Sequence, residues 1–218
     1  MLIICTIIVL IIKCFNIDKF KNKNKIDSAV IIEPRNHLAL ELVIQNIIFH
    51  GKNNIISINN IISKNINHKF KLFNFNVENL SSKEYNKILL DKFFWERSSY
   101  FGNKILIFQT DSGICNKNLL GMAADYSYCG APWVWNKKVG NGGFSIRDTS
   151  IMIDIINYLQ KNDSDKLNGN MQEDIIFTNY LNKHNKKSIC PYNVAKIFSR
   201  ETDKNDNKVF GFHAPWRE

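Results

Sequence analysis

The sequence predicts an α/β domain built on a mixed, largely parallel sheet with helices on its faces. Three observations carry that expectation. Apolar runs of strand length, rich in β-branched residues, recur at 28–33 and 104–109. Stretches with helical apolar spacing separate them. The chain has 218 residues, 44% of them hydrophobic and 12% aromatic, enough for one sizeable core. Strands alternating with helices of this length imply crossover connections and therefore parallel pairing.

Each element has its own signal. SAVIIE at 28–33 ends at Pro34, which has no N–H to extend a ladder, so a first strand closes there. Leu38, Leu42, Val43 and Ile47 share a helical face and place a helix over 38–49, ending near Gly51. Isoleucines at 55, 58, 61 and 62 make 53–66 a further amphipathic stretch. Phe70, Leu72, Phe73, Phe75 and Val77 mark a strand over 70–77. Ser81, with Glu84 three residues on, reads as an N-cap with an acidic first turn, opening a helix to about Arg97. KILIFQ over 104–109 is a buried strand. Farther on, 126–135, 144–147 and 194–199 read as strands, 149–161 and 173–183 as helices, and 162–170 as a polar loop around Gly169. No repeat and no Pro/Ser-rich boundary divides 28–218, which reads as one domain.

Residues 1–17 form an apolar leader or marginal membrane anchor. Leu2 to Ile12 as a helix spans roughly 16 Å against a ~30 Å hydrocarbon core. Residues 18–27 form a basic linker. Because Lys13, Lys19, Lys21, Lys23 and Lys25 follow the apolar run, insertion would leave the domain in the cytoplasm. The net charge of +9 permits an anionic partner. No clustered basic-aromatic stripe accompanies it, so nucleic acid is not the expected one. Five cysteines without a CxxC pair argue against a disulfide scaffold and fit a reducing compartment, while leaving room for one bridge.

Four constellations could carry chemistry. Gln109-Thr110-Asp111-Ser112 follows a buried strand, where ligands bind in open α/β sheets, and Asp111 could hold a divalent cation or simply cap a turn. Gly142 and Gly143 admit a close approach to the backbone or make a turn, and Trp133 before them could stack on a sugar or pack in the core. Glu173 and Asp174 sit at a helix N-terminus, as capping charges or as a general base. His213, among aromatic residues, is either a satisfied buried histidine or a metal ligand. There is no GxxxxGK[ST] loop, no GxGxxG after the first strand and no GxSxG elbow, which disfavours ATPase, dinucleotide oxidoreductase and serine hydrolase chemistry, and no HExxH or Cys/His zinc pattern.

Taken in order, VIIEPR (30–35), FHGKNN (49–54), ILIFQTDSGIC (105–115), YSYCGAPW (126–133), VGNGGFSIR (139–147), EDIIF (173–177), FSRE (198–201) and FGFHAPW (210–216) resemble an uncharacterised glycosyltransferase-like domain family of large DNA viruses and fungi. The resemblance covers about residues 28–216. It implies a GT-A-like, Rossmann-like sheet and a nucleotide-sugar glycosyltransferase that inverts configuration and acts on a glycan, protein or lipid acceptor. By the same likeness Asp111, the surviving acid of a DxD pattern, and His213 would hold Mn²⁺ or Mg²⁺. Asp174 would be the base and Glu173 a substrate contact. Glu33, Arg35, Gln109, Thr110, Gly142, Gly143 and Arg147 would bind the donor, with Trp133 and Trp216 stacking on sugar. Two departures stand out: Gln109 replaces the first acid of DxD, and the chain is short near residue 46. Both also suit a non-catalytic nucleotide-sugar- or carbohydrate-binding module.

Overall fold

The computed structural model describes residues 9–13, 26–35, 37–51, 70–73, 78–133, 137–201 and 208–215. In chain order its elements are β1 (Val9–Lys13), β2 (Ser28–Ile32), α1 (Leu38–Gly51), β3 (Phe70–Phe73), α2 (Ser82–Leu89), α3 (Lys92–Ser99), β4 (Lys104–Phe108), β5 (Ser112–Ile114), β6 (Tyr128–Cys129), β7 (Pro132–Trp133), β8 (Lys138–Val139), β9 (Phe144–Asp148), α4 (Thr149–Asn162), α5 (Glu173–His184), α6 (Tyr192–Phe198), β10 (Ser199–Arg200) and β11 (Gly211–His213).

The described strands form three sheets, the largest ordered β3-β1-β2-β4-β9-β6. Within it β2 and β4 pair in parallel, whereas β1 with β2, β1 with β3, β4 with β9 and β6 with β9 are antiparallel. The expected GT-A-like, mostly parallel sheet is therefore wrong: the fold is mixed α/β, with small antiparallel and mixed sheets. The cause lies in two interleaved strands. β2, β3 and β4 do run the same way, as their alternation with helices implies. β1 inserts between β2 and β3 in the opposite sense, and β9 reverses against β4, so most neighbours become antiparallel. A second sheet, β10-β11-β5, and the β7–β8 ribbon complete the set.

β1 belongs to the stretch read as an apolar leader; all five of its residues pair with β2, and Val9 to Ile12 pair with β3 as well. Asp27, at the end of the linker reading, accepts from the N–H groups of Asn103 and Lys104, both at 2.9 Å. The helix expected over 81–97 is two helices. Asp91 caps α3 by accepting from the N–H of Phe93, a competing N-cap that breaks the run. The strand expected over 194–199 is mostly α6, because Val194, Ala195 and Phe198 lie on one buried helical face. The strand expected over 126–135 splits into β6 and β7 around Gly130, where a Cβ would lie 2.0 Å from the carbonyl oxygen of Asn141. The amphipathic stretch 53–66 and residues 74–77 lie outside the described residues. No helix among the described residues is long and apolar enough to cross a membrane.

The core lies on both faces of β2, β4 and β9, all lined by buried side chains. Trp95 of α3 is its largest fully buried side chain, and its indole N–H donates to the carbonyl of Leu89 at 2.6 Å. Such a partner is what makes a buried indole tolerable. Phe144, Phe198 and Phe210 stack at 5.5–6.0 Å and fasten β9 to α6 and to the strand before the C-terminus.

Cys129 and Cys190 are joined by a disulfide across 61 residues of chain, tying β6 to the start of α6. The one bridge left open by the cysteine count is thus present, and Cys115 is a free, exposed thiol. On loop entropy alone, opening a ring of this size removes about 4 kcal/mol. C129A/C190A is expected to unfold at clearly lower urea concentration than the wild type, and reductant should lower the wild type to the same midpoint. Coincident midpoints for reduced and oxidised protein would show that the bridge contributes no stability.

Candidate functional site

The parallel neighbours β2 and β4 end side by side, and a cleft of about 1040 Å³ opens beyond their carboxyl ends. This is the edge at which ligands collect in open α/β sheets. Because β9 runs antiparallel to β4, the loop leading into it reaches the same edge. The loop after β2, the loop after β4, the loop before β9, the start of α2 and the N-terminus of α5 supply the walls.

Beyond β2, Arg35 donates from Nε to Glu33 Oε1 at 2.7 Å and from Nη2 to Oε2 at 2.6 Å, while its backbone N–H reaches Oε1 at 2.9 Å. This two-pronged contact fixes the plane of the guanidinium. Glu33 is buried, whereas the Arg35 side chain keeps 49% of its surface accessible, presenting an oriented cation to the cleft.

Beyond β4, the hydroxyl of Ser112 donates to the Gln109 carbonyl at 2.7 Å and accepts from its N–H at 3.1 Å, tightening the turn that carries Thr110 and Asp111. Pairing of β11 with β5 places His213 opposite Ser112. Its Nε2 lies 2.9 Å from Gln109 Oε1 and 3.4 Å from Asp111 Oδ1, and its Nδ1 lies 3.3 Å from Glu201 Oε1. Burial opposes the charge on this ring, but hydrogen bonding to Asp111 and Glu201 outweighs it and raises the pKa to about 9. Glu201 in turn accepts from Asn141 Nδ2 at 2.7 Å.

Asp111 and His213 are spaced as two ligands of a divalent cation would be, but the ring, with its pKa of about 9, would have to lose its proton to bind one. Two ligands each held at about 2.1 Å stand roughly 3 Å apart, close to the Asp111–His213 separation. A carboxylate behind the second ring nitrogen is the usual outer partner of a metal-binding histidine, and Glu201 stands there. Among the described residues no cluster of three His, Cys, Asp or Glu side chains forms such a site. A cation here would therefore complete its shell with amide, substrate and water oxygens, as Mg²⁺ commonly does.

Before β9, Asn141 Oδ1 accepts from the N–H of Gly143 at 3.1 Å, and the N–H of Gly142 donates to Asp174 Oδ2 at 3.0 Å. A Cβ on Gly142 would lie 2.6 Å from Arg147 Nη2 and 2.8 Å from Glu173 Oε1, and one on Gly143 would lie 2.2 Å from His213 Nε2. The close approach that these glycines permit is made by the protein's own side chains. Both residues still line the cleft.

At the start of α5, Asp174 accepts from Gly142 and, through Oδ1, from the N–H of Ile175 at 2.7 Å. Burial, and then the charge of Glu173, push its carboxyl up to about 7 against the opposing pull of Arg147 and the two N–H donors. Glu173 lines the cleft, but both of its oxygens accept from Arg147, at 2.5 Å from Nη1 and 3.0 Å from Nη2. Arg147 is fully buried and does not line the cleft, so the structure gives it no direct contact with a donor there. Trp133 does not line the cleft either; its ring packs over Gly140. Trp216 lies outside the described residues. Glu33, Arg35, Gln109, Thr110, Asp111, Asp174 and His213 all meet in the cleft.

Sequence reasoning missed Tyr85, Asn86 and Asn141, and left Glu201 without a role. Tyr85 hydrogen-bonds Gln109 from α2, and burial raises its pKa. Asn86 accepts from the N–H of Glu173 at 3.4 Å and donates to the Gly169 carbonyl at 3.1 Å, locking α2 against α5. Only Glu201, in FSRE, and Asn141, in GNGG, fall in segments with any motif signal.

The family model described as a protein of unknown function (DUF5672) matches residues 68–213, more than half of the chain, and the chain belongs to that family. None of the curated proteins matches it. Glu33 and Arg35 lie before the matched span.

Two predictions follow from this geometry. A folded-state carboxyl at about 7, against ~3.9 unfolded, keeps its proton longer in the native state, so stability falls as pH rises between those values. D174N removes that slope, and its urea stability relative to the wild type should rise by about 3 kcal/mol from pH 5 to pH 8; a pH-independent difference would refute the raised pKa. G143A forces backbone and the buried His213 ring apart and should cost more than about 1 kcal/mol, whereas T110A, in the neighbouring wall, should change stability by roughly 0.5 kcal/mol or less.

Proposed function

We propose that this DUF5672 protein is a glycosyltransferase that moves a sugar from a nucleotide-sugar donor to a hydroxyl acceptor with inversion, using Asp174 as general base. The observation that carries the reading is one cleft whose lining holds both a carboxylate and a set of cationic and metal-compatible groups. The Asp174 carboxylate, with a pKa of about 7, lines it together with Asp111, His213 and the oriented Arg35. A base of that pKa at neutral pH is both largely available and strong enough to take a proton.

In the step itself, the acceptor hydroxyl gives its proton to the Asp174 carboxylate as its oxygen forms a bond to the anomeric carbon. The bond from that carbon to the diphosphate oxygen breaks on the opposite face, and its electron pair leaves with the nucleoside diphosphate. Arg35 supplies positive charge that offsets the developing anion. A Mn²⁺ or Mg²⁺ ion held by Asp111 and His213 would neutralise the same diphosphate. Gln109, in place of a first acid, is the feature that favours the rival reading of a binding module without turnover.

The test is a thermal-shift screen of the full chain against UDP-, GDP- and dTDP-sugars with and without Mn²⁺, followed by transfer assays. A ligand at about 100 times its Kd stabilises by roughly 2.7 kcal/mol. One donor is expected to raise the midpoint, more strongly with Mn²⁺, and D111N should abolish the Mn²⁺-dependent part. D174N should bind that donor normally and transfer 10² to 10⁴-fold more slowly, by about the rate that a general base contributes. Donor binding without turnover in the wild type would favour the binding module. Equal turnover by D174N would remove Asp174 from the reaction.

A further inference from the structure

Asp174 is held from two sides by a single guanidinium. Arg147 rises from the middle of β9 with no exposed surface. Its Nη1 and Nη2 grip Glu173, the residue before Asp174, and Nη2 also donates at 3.2 Å to the carbonyl of Gly142, whose N–H binds Asp174. Nε is satisfied by Ser145 Oγ at 2.9 Å. The rings of Tyr128, Phe177 and Trp95 surround the guanidinium carbon at 5.1, 5.8 and 5.9 Å, so its rotation is blocked. Any side chain on Gly142 would break into this arrangement.

We propose that Arg147 and Glu173 form a positioning pair, which sets both the orientation of the Asp174 carboxylate towards the cleft and the pH range over which it accepts a proton. The inference deepens the transferase reading and rests on it for its catalytic consequence. Among the described residues, the charged and titratable groups that interact with Asp174 include Glu173 on its own helix, Arg147 on β9, Tyr85 on α2 and Tyr128 on β6. Both tyrosines are held neutral by burial, and the two members of the pair are the charged side chains with the largest effect on it. Glu173 pushes the Asp174 pKa up and Arg147 pulls it down.

A buried ion pair replaced by apolar residues of similar volume often keeps or gains stability, which allows positioning to be separated from simple support of the fold. The experiment compares the full-length wild type, E173Q and R147M/E173L. Two readouts are used: the carboxyl ¹³C titration of Asp174 by NMR, and kcat and donor KM across pH. E173Q should lower the Asp174 titration midpoint by about one unit and move the acid limb of kcat/KM with it. R147M/E173L should remain folded, bind the donor with KM within about twofold of wild type, and lose at least tenfold in kcat, the cost of a loosely held base. An unmoved Asp174 titration in E173Q, or wild-type kcat in a folded R147M/E173L, would overturn the inference. A shifted titration in a protein that transfers no sugar would support the pair while removing the transferase reading, so the two fail separately.

Discussion

A guanidinium with no exposed surface, carried on the next-to-edge strand β9, imposes more on the candidate site than any other contact described above. Taking an arginine out of water is tolerable only when its donors and its charge are both met. Glu173 meets the charge, Ser145 and the Gly142 carbonyl take remaining donors, and three aromatic rings fill the space around it. Satisfying Arg147 therefore drags the N-terminus of α5 against β9 and excludes any side chain from position 142. Helix α2 follows, because Asn86 bonds the backbone of Glu173. The placement of the Asp174 carboxylate in the cleft is a by-product of neutralising one buried cation.

A second part of the cleft lining is organised in the same manner by His213. Its ring sits where Gly143 has no side chain, between Asp111 and Glu201, and Glu201 is fixed by Asn141. The loop 141–143 thus serves both walls. Asn141 faces the histidine side, Gly142 faces the carboxylate side, and the backbone N–H of Gly143 ties back to Asn141. The short loop owes its Gly-Gly pair to crowding by two side-chain networks.

Much of the site was legible in the sequence because its members cluster at strand ends and at a helix start. Asp111 after KILIF and Asp174 at the opening of α5 are placed by local pattern alone, and the structure brings both to one cleft. Arg147 was read as a ligand contact because charged residues are rarely buried unless paired, and its partner lies 26 residues away with no periodicity linking them. The sheet was misread for a related reason. Alternation of strands and helices reports the direction of β2, β3 and β4, but says nothing of which strand slips between them. The apolar pattern of residues 9–13 serves an inner strand as well as a leader. In α6, Val194 and Phe198 mimic a strand by composition, and only their four-residue spacing reveals a helix.

The bridge between Cys129 and Cys190 gives the molecule two thermodynamic identities. Disulfides persist where the surroundings oxidise thiols and are rare where glutathione keeps them reduced. Cys129 lies on β6, next to Gly130, whose backbone packs against Asn141, so the bridge borders the loop that serves both walls of the cleft. The redox potential around the chain therefore bears on how firmly that loop is backed as well as on whether the domain stays folded. The same sequence is a sturdier protein in a secretory lumen than in a cytosol.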